Sequence, residues 1–126
     1  MLPQQSRMRR PEDFRRVLRT GRRAGGSVVA GHLLLIASNG PVRSGEPAKV
    51  GFIVSRAVGS AVVRNRVKRR LRELMRRRVA SIPGGSLLVL RAYPAAASAR
   101  QEDLAADLDL VIGRLLRRQV GALRQE

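Results

Sequence analysis

The chain has 126 residues, enough for one domain, 1–126, with a single hydrophobic core. Its hydrophobic content of 44% indicates a chain that folds. Its net charge of +17 implies an anionic partner such as nucleic acid or an anionic membrane surface. The absence of cysteine excludes disulfides and thiolate chemistry and fits the reducing cytoplasm, where we expect the protein to act.

The first twenty residues predict an arm followed by a short helix. Residues 1–10 are rich in arginine, and we expect them to form an extended, flexible basic arm. Pro11 suits the first turn of a helix. Phe14, Val17 and Leu18 follow at the i, i+3, i+4 spacing that places apolar side chains on one helix face.

The next segment predicts turns and strands. Residues 21–26 contain glycine and arginine and are predicted to be a basic turn. Residues 27–37 are rich in Val, Leu and Ile and predict strand, which Gly31 can divide into two. Residues 38–47 have the composition of a loop, and 48–56 predict a further strand.

A basic amphipathic helix is predicted from Ser60, its N-cap, to about Ala80. The apolar residues of this segment are spaced by four, four, three and one positions, which places them in one stripe along a helix. These positions are Val63, Val67, Leu71, Leu74 and Met75. The opposite side gathers polar and cationic side chains, namely Asn65, Lys68, Arg69, Arg72 and Arg76. The helix therefore docks one stripe and turns a guanidinium-rich face outward.

The density of positive charge on this helix needs an explanation. Nine basic residues and one acid lie between Arg64 and Arg78. Like charges at i, i+4 repel, so a merely solvated face normally mixes signs. Eight of the nine are arginine, whose planar fork binds phosphate bidentately and stacks on bases. Nucleic acid is therefore favoured over a solvated face.

The remainder of the chain predicts one strand and one helix. Residues 86–92 read as a buried strand, preceded by a turn at 83–85. A C-terminal helix follows, with apolar positions Leu104, Leu108, Val111, Ile112, Leu115, Leu116 and Val120. The element order is α-β-β-β-α-β-α, which predicts a compact α+β fold with a small four-stranded sheet packed against helices.

One stretch resembles a known family. Its segments are 51–56 (Gly-Phe-Ile-Val-Ser-Arg), 58–63 (Val-Gly-Ser-Ala-Val-Val) and 64–69 (Arg-Asn-Arg-Val-Lys-Arg), followed by Arg72. Together they resemble the signature of the bacterial ribonuclease P protein subunit. The opening Met-Arg-Arg of 8–10 and Glu-Asp-Phe of 12–14 resemble that family's N-terminal region, so the resemblance covers most of the chain.

The resemblance implies a fold and a function. The fold would be similar to the second domain of small-subunit ribosomal protein five, with a left-handed βαβ crossover, against the general right-handed preference. The protein would assist a large catalytic RNA in removing the 5′ leader from precursor tRNA. Hydrolysis would belong to the RNA with bound Mg²⁺. The partners would be ribonuclease P RNA and precursor tRNA.

The resemblance also implies which residues bind RNA. Those expected to face the catalytic RNA or the metal-rich region near the cleavage site are Arg56, Arg64, Asn65, Arg66, Lys68, Arg69 and Arg72. Those expected in a leader-binding cleft between the first helix and the sheet are Arg10, Phe14, Arg15, Leu18 and Phe52. The family often has a second aromatic residue where this chain has Leu18, so base stacking would have few platforms.

No catalytic or metal-binding set of side chains emerges from the residues themselves. His32 is the only histidine and no cysteine accompanies it, so zinc is not expected. By spacing alone, Phe14 is more often a core residue than a stacking residue. We therefore predict no catalytic side chains and no metal ligands in the protein.

Three other readings remain open. A non-catalytic RNA-binding protein of ribosomal type would share the charge and the element order. A DNA-binding module would use the basic helix in the major groove, but no helix-turn-helix spacing is present and predicted strands bracket the helix. A membrane-surface helix would need the apolar stripe that completes the core. We therefore expect neither DNA nor a membrane as partner.

Overall fold

The computed structural model describes residues 2–35 and 47–124, with side chains described as far as residue 117. Its helices are α1 (Pro11–Thr20), α2 (Ala61–Arg76) and α3 (Gln101–Arg124), and its strands are β1 (Arg22–Gly25), β2 (Val29–Leu34), β3 (Lys49–Ile53) and β4 (Leu87–Ala92). Most of the predicted loop at 38–47 lies outside the described residues.

The four strands form one mixed sheet in the order β1-β2-β4-β3. β1 pairs antiparallel with β2, and β2 pairs antiparallel with β4. β3 runs parallel to β4, and α2 lies between them in the chain. The predicted α+β fold with four strands is thus confirmed. The hand of the crossover and the likeness to the ribosomal domain stay predictions.

Helices cover both faces of the sheet. α2 and α3 pack on one face, the α3 face, where Val29, Leu88 and Leu90 join the main core. α1 packs on the other, the α1 face, where Val17 contacts a smaller cluster that contains Leu87 and Val89. This alternation of neighbouring β4 residues between two cores explains why 86–92 read as one continuous apolar run.

The predicted division of the second strand at Gly31 is wrong. β2 runs unbroken through Gly31, which lies under α3: a Cβ there would come within 2.7 Å of Val111. The additional strand is β1, in the segment predicted as a basic turn. β1 is an edge strand with Arg22 and Arg23 exposed, so it carries no alternating apolar pattern to reveal it.

The N-terminal arm also differs from the flexible extension that we expected. Leu2 and Ser6 are buried, and residues Gln4–Ser6 form a 3₁₀ turn. Arg7 forms a parallel bridge with Val50, and the Met8 amide donates to the Val50 carbonyl over 2.9 Å. The arm thereby covers the free edge of β3, which satisfies backbone groups that an open edge would leave unpaired.

Candidate nucleic-acid interface

The rotation of α2 is set by its cap and its apolar stripe. The Ser60 hydroxyl accepts a hydrogen bond from the Val63 amide over 3.3 Å, as predicted for an N-cap. Val67, Leu71 and Met75 are fully buried against the main core. The α-helix ends at Arg76, four residues before its predicted end, and a 3₁₀ turn follows at Val79–Ser81.

The predicted RNA-binding residues of α2 divide into rows at i, i+4 spacing. Arg64, Lys68 and Arg72 form a half-buried row beside the apolar stripe. Asn65 and Arg69 form an exposed row next to it. The first row is therefore partly covered by the protein surface, and the second row is open to solvent.

The other two predicted RNA-binding residues are also exposed. Arg66 lies on the far side of α2 from the half-buried row. Arg56 lies on the 3₁₀ turn Arg56–Val58, just before the helix. Both residues are therefore accessible to a large partner that covers the start of α2.

Two cations of the basic segment serve the fold instead. The Arg70 guanidinium donates to the Ala99 carbonyl over 2.6 Å and to the Gln101 amide oxygen over 2.8 Å. Arg78 donates to both carboxylate oxygens of Asp109, at 2.7 and 3.2 Å. These contacts join residues 64–78 to α3 and to the residues just before it. Some cations of this segment therefore stabilise the fold, and others remain accessible to a partner.

A groove of about 210 Å³ runs along the outer edge of β3, between α1 and α2. We call it the β3-edge groove; its lining residues are Arg7, Met8, Arg9, Phe14, Val50, Gly51, Phe52, Lys68 and Arg72. The Phe14 ring lies over Gly51, where any Cβ would collide with the ring. Glycine at 51 therefore lets an aromatic ring reach the groove that Lys68 and Arg72 enter from the other side.

The structure brings together only part of the predicted leader-binding set. Phe14 and Phe52 both line the β3-edge groove, although Phe52 alternates toward the main core. Arg10 lines a neighbouring pocket. Arg15 is exposed and Leu18 packs in the small cluster under α1, and neither lines these two cavities. The assignments to the leader stay predictions.

His32, considered above only as a zinc ligand, is a nearly buried titratable residue of β2. It lies on the α1 face with Arg23 opposite it on β1, while Arg91 lies on the same face of β4. The imidazole is 9% exposed, and its Nε2 has no hydrogen-bond partner within the described ranges. Burial, then the charges of Arg23 and Arg91, lower the pKa of His32, so the ring is neutral at pH 7. Strand alternation from 29 to 34 was the available signal.

Neither a metal centre nor a membrane span is built from the described side chains and helices. Across residues 2–35 and 47–117, no three His, Asp or Glu side chains come together as ligands for an ion. The charged side chains that line the β3-edge groove are all cationic instead. None of the helices, as far as they are described, is both long and apolar enough to cross a bilayer.

Comparison with known proteins gives a consistent result. Residues 2–116 match the family described as Ribonuclease P. The ribonuclease P protein component of Streptomyces avermitilis is 53% identical over 118 residues, covering 92% of this chain and 96% of that protein. The protein of the same name from a Nocardioides species is 52% identical over 109 residues, covering 86% and 90%. The fold aligns with a Staphylococcus aureus RNase P protein at TM-score 0.73, 20% identity and 86% and 93% coverage.

Proposed function

The chain belongs to the ribonuclease P protein family, and from that premise we propose that it is the protein subunit of a ribonuclease P that removes the 5′ leader from precursor tRNA. Its partner is the ribonuclease P RNA. Its contribution is to bind that RNA and to hold the leader, so that the scissile phosphate is positioned for cleavage.

The observation that carries this proposal is the junction between α2 and the β3-edge groove. Lys68 and Arg72 belong to the signature segment and also line the groove that contains the Phe14 ring. A single strand in this groove would meet cations for its phosphates and an aromatic ring for one base, the combination that binds single-stranded nucleic acid. The exposed Asn65, Arg66 and Arg69 remain accessible to a second, larger RNA surface.

The chemistry of hydrolysis is assigned to the RNA. Mg²⁺ would supply the activation of water and the stabilisation of the developing phosphate charge. The described residues of this chain do not fit a metal site, since no group of carboxylate or imidazole ligands converges. We therefore propose that RNA phosphates hold the ion.

A reconstituted cleavage assay tests this function. Precursor tRNA with a 5′ leader is mixed with a bacterial ribonuclease P RNA at low Mg²⁺, with and without the protein. We expect the protein to accelerate release of the leader and to release none without the RNA. Tight binding to structured RNA without acceleration would instead assign the protein to the ribosomal type of RNA-binding protein.

A further inference from the structure

The side of α3 that faces away from the sheet is open to solvent. Asp103, Ala106, Leu110 and Arg117 are exposed along it, and Gly113 is half-buried. Leu110 is 40% exposed and is one of two large apolar side chains that the described part of the chain leaves exposed. We call this surface, made of these five residues, the α3 outer face.

An open cavity borders the α3 outer face beside the turn between β1 and β2. Its volume is about 340 Å³, and its lining residues are Ser27, Val28, Asp103, Ala106, Asp107 and Leu110. The Asp107 carboxylate is already used by the backbone amides of residues 27–29, which fixes the turn against α3. The cavity therefore offers a firm wall with apolar side chains, against which an apolar group from outside can pack.

The two ends of the α3 outer face carry opposite charges. Asp103 lies in the first turn of α3, and Arg117 lies two heptads further along. Residues seven apart differ in direction by only about 20° on a helix, so Leu110 lies between these two charges on nearly one line. Neither charge forms an ion pair or a hydrogen bond with the side chains that the structure describes. The surface thus has a negative end, an apolar centre and a positive end.

Gly113 indicates a close neighbour at the same surface. Glycine within a helix is destabilising relative to alanine. A Cβ at position 113 would meet only the Arg117 guanidinium, at 3.8 Å, which is an ordinary contact. Gly31 and Gly51, in contrast, lie against side chains that would collide with a Cβ. The described part of the fold therefore gives no internal reason for glycine at 113, whereas a helix from outside could approach α3 closely there.

We propose that the α3 outer face binds the same face of a second copy of this chain, with the two α3 helices antiparallel about a two-fold axis at Leu110. Asp103 of each copy then lies beside Arg117 of the other, and the two Leu110 side chains meet at the axis. A two-fold contact requires a self-complementary surface, and a negative end, an apolar centre and a positive end provide one. The pairing does not rest on the proposed function.

The distribution of charge favours this face over the rest of the surface for contact between two chains of net charge +17. The first half of α3 holds four of the nine acids of the chain, namely Glu102, Asp103, Asp107 and Asp109. α3 packs on β1 and β2, at the opposite end of the sheet from β3. RNA in the β3-edge groove would therefore leave the α3 outer face open, and its phosphates would reduce the charge that opposes pairing.

Sedimentation equilibrium of the protein, freed of nucleic acid, tests the pairing at about 0.3 M salt, where long-range repulsion is screened. We expect monomers and dimers with a Kd of about 10–100 µM, as for a small interface. Asp103→Arg and Arg117→Asp should each weaken association by about tenfold or more, because each places like charges opposite one another. An equimolar mixture of these two variants should associate as wild type does, since opposite charges then face each other again.

Matched controls separate the contact from net charge and from folding. Glu102→Arg makes the same change of charge in the same turn of α3, about 100° around the helix, and should associate as wild type does. Arg16→Asp, at an exposed position of α1, is the control for Arg117→Asp. Gly113→Gln replaces glycine by a better helix former but keeps the two helices apart, so it should weaken association by about tenfold. Circular dichroism confirms that each variant is folded.

Three results would overturn the pairing. The first is wild-type protein that stays monomeric up to about 1 mM. The second is association of Asp103→Arg, Arg117→Asp or Gly113→Gln as strong as that of wild type. The third is a mixture of the two charge variants that associates no better than either alone. None of these measurements contains RNA, so their outcome is separate from that of the cleavage assay, in which Gly113→Gln should stimulate cleavage as wild type does.

Discussion

Two helices on the same face of the sheet, α2 and α3, handle charge in opposite ways. Both bury an apolar stripe in the main core. Two α3 carboxylates are used within the molecule: Asp107 accepts from three backbone amides at 2.8–2.9 Å, and Asp109 binds Arg78. In contrast, α2 keeps the signature cations Arg66 and Arg69 exposed.

The difference separates charges that stabilise the fold from charges that await a partner. A carboxylate surrounded by backbone donors satisfies groups that burial would otherwise leave unpaired. A row of like charges without acceptors costs folding energy through repulsion and is relieved only by an external anion. On this basis, substitutions on α3 should lower stability, and substitutions on the exposed rows of α2 should lower RNA affinity.

The largest expected effect comes from the feature that both helices share, the buried stripe. Leu71 is fully buried on α2, so Leu71→Ala should lower the free energy of unfolding by about 2–5 kcal/mol through lost contacts and a residual cavity. Chemical denaturation monitored by circular dichroism measures it. A change below about 0.5 kcal/mol would mean that α2 is rotated away from the orientation described.

The next largest effect is expected from removing a carboxylate that α3 uses within the molecule. Asp107→Ala leaves the amides of Ser27, Val28 and Val29 without their acceptor and should cost about 2–4 kcal/mol. Asp107→Asn keeps one acceptor oxygen and should cost less. Hydrogen exchange at residues 27–29 provides a local readout. Exchange as slow as in wild type in the Ala variant would show that these amides have another acceptor.

The three hydrogen bonds that Asp107 accepts from residues 27–29 also show what sequence patterns miss. The stripe of α2 was predicted correctly because Val67, Leu71 and Met75 follow a local period of 3.6. Strand β1 was missed because its exposed arginines give no alternating apolar pattern. The turn after it is held at Ser27 by the carboxylate of Asp107, 80 residues further along the chain. No local pattern encodes an acceptor supplied by a distant helix.

The candidate site shows the same limit. The sequence placed cations on α2, but it could not assign Arg70 to the fold, because its acceptors lie 29 and 31 residues further along the chain. Nor could it reveal that the N-terminal arm docks on β3 and lines the β3-edge groove. Tertiary contacts also recruit two carboxylates of α3, Asp107 and Asp109, for specific bonds that no local pattern indicates.

A third prediction sharpens the contrast within α2 itself. Arg66→Gln/Arg69→Gln removes two exposed cations that can bind phosphate. This variant should bind the ribonuclease P RNA about 10–100-fold more weakly, where a tenfold change in affinity corresponds to about 1.4 kcal/mol. The free energy of unfolding should not fall, because like-charge repulsion decreases. Filter binding at several salt concentrations measures the affinity.

Arg70→Gln is the matched control, one residue from Arg69 on the same helix. Its guanidinium is already engaged by Ala99 and Gln101, so this variant should lose stability and keep its RNA affinity. Equal losses of affinity in Arg66→Gln/Arg69→Gln and in Arg70→Gln would remove the distinction between structural and accessible cations on α2.

The smallest effect extends the comparison to the α1 face, where protonation turns His32 into a nearly buried cation close to Arg23 and Arg91. Its pKa is lowered in the folded state by burial and by Arg23 and Arg91, so the unfolded chain binds a proton more readily. The neutral imidazole therefore makes its whole contribution to the free energy of unfolding above pH 6.5, the ordinary pKa of histidine. This contribution declines as the pH falls from 6.5 to the lower pKa of the folded state. His32→Phe should remove that part of the pH dependence. Parallel stability curves for the two proteins between pH 7 and about pH 5 would show that the imidazole is not held neutral by its surroundings.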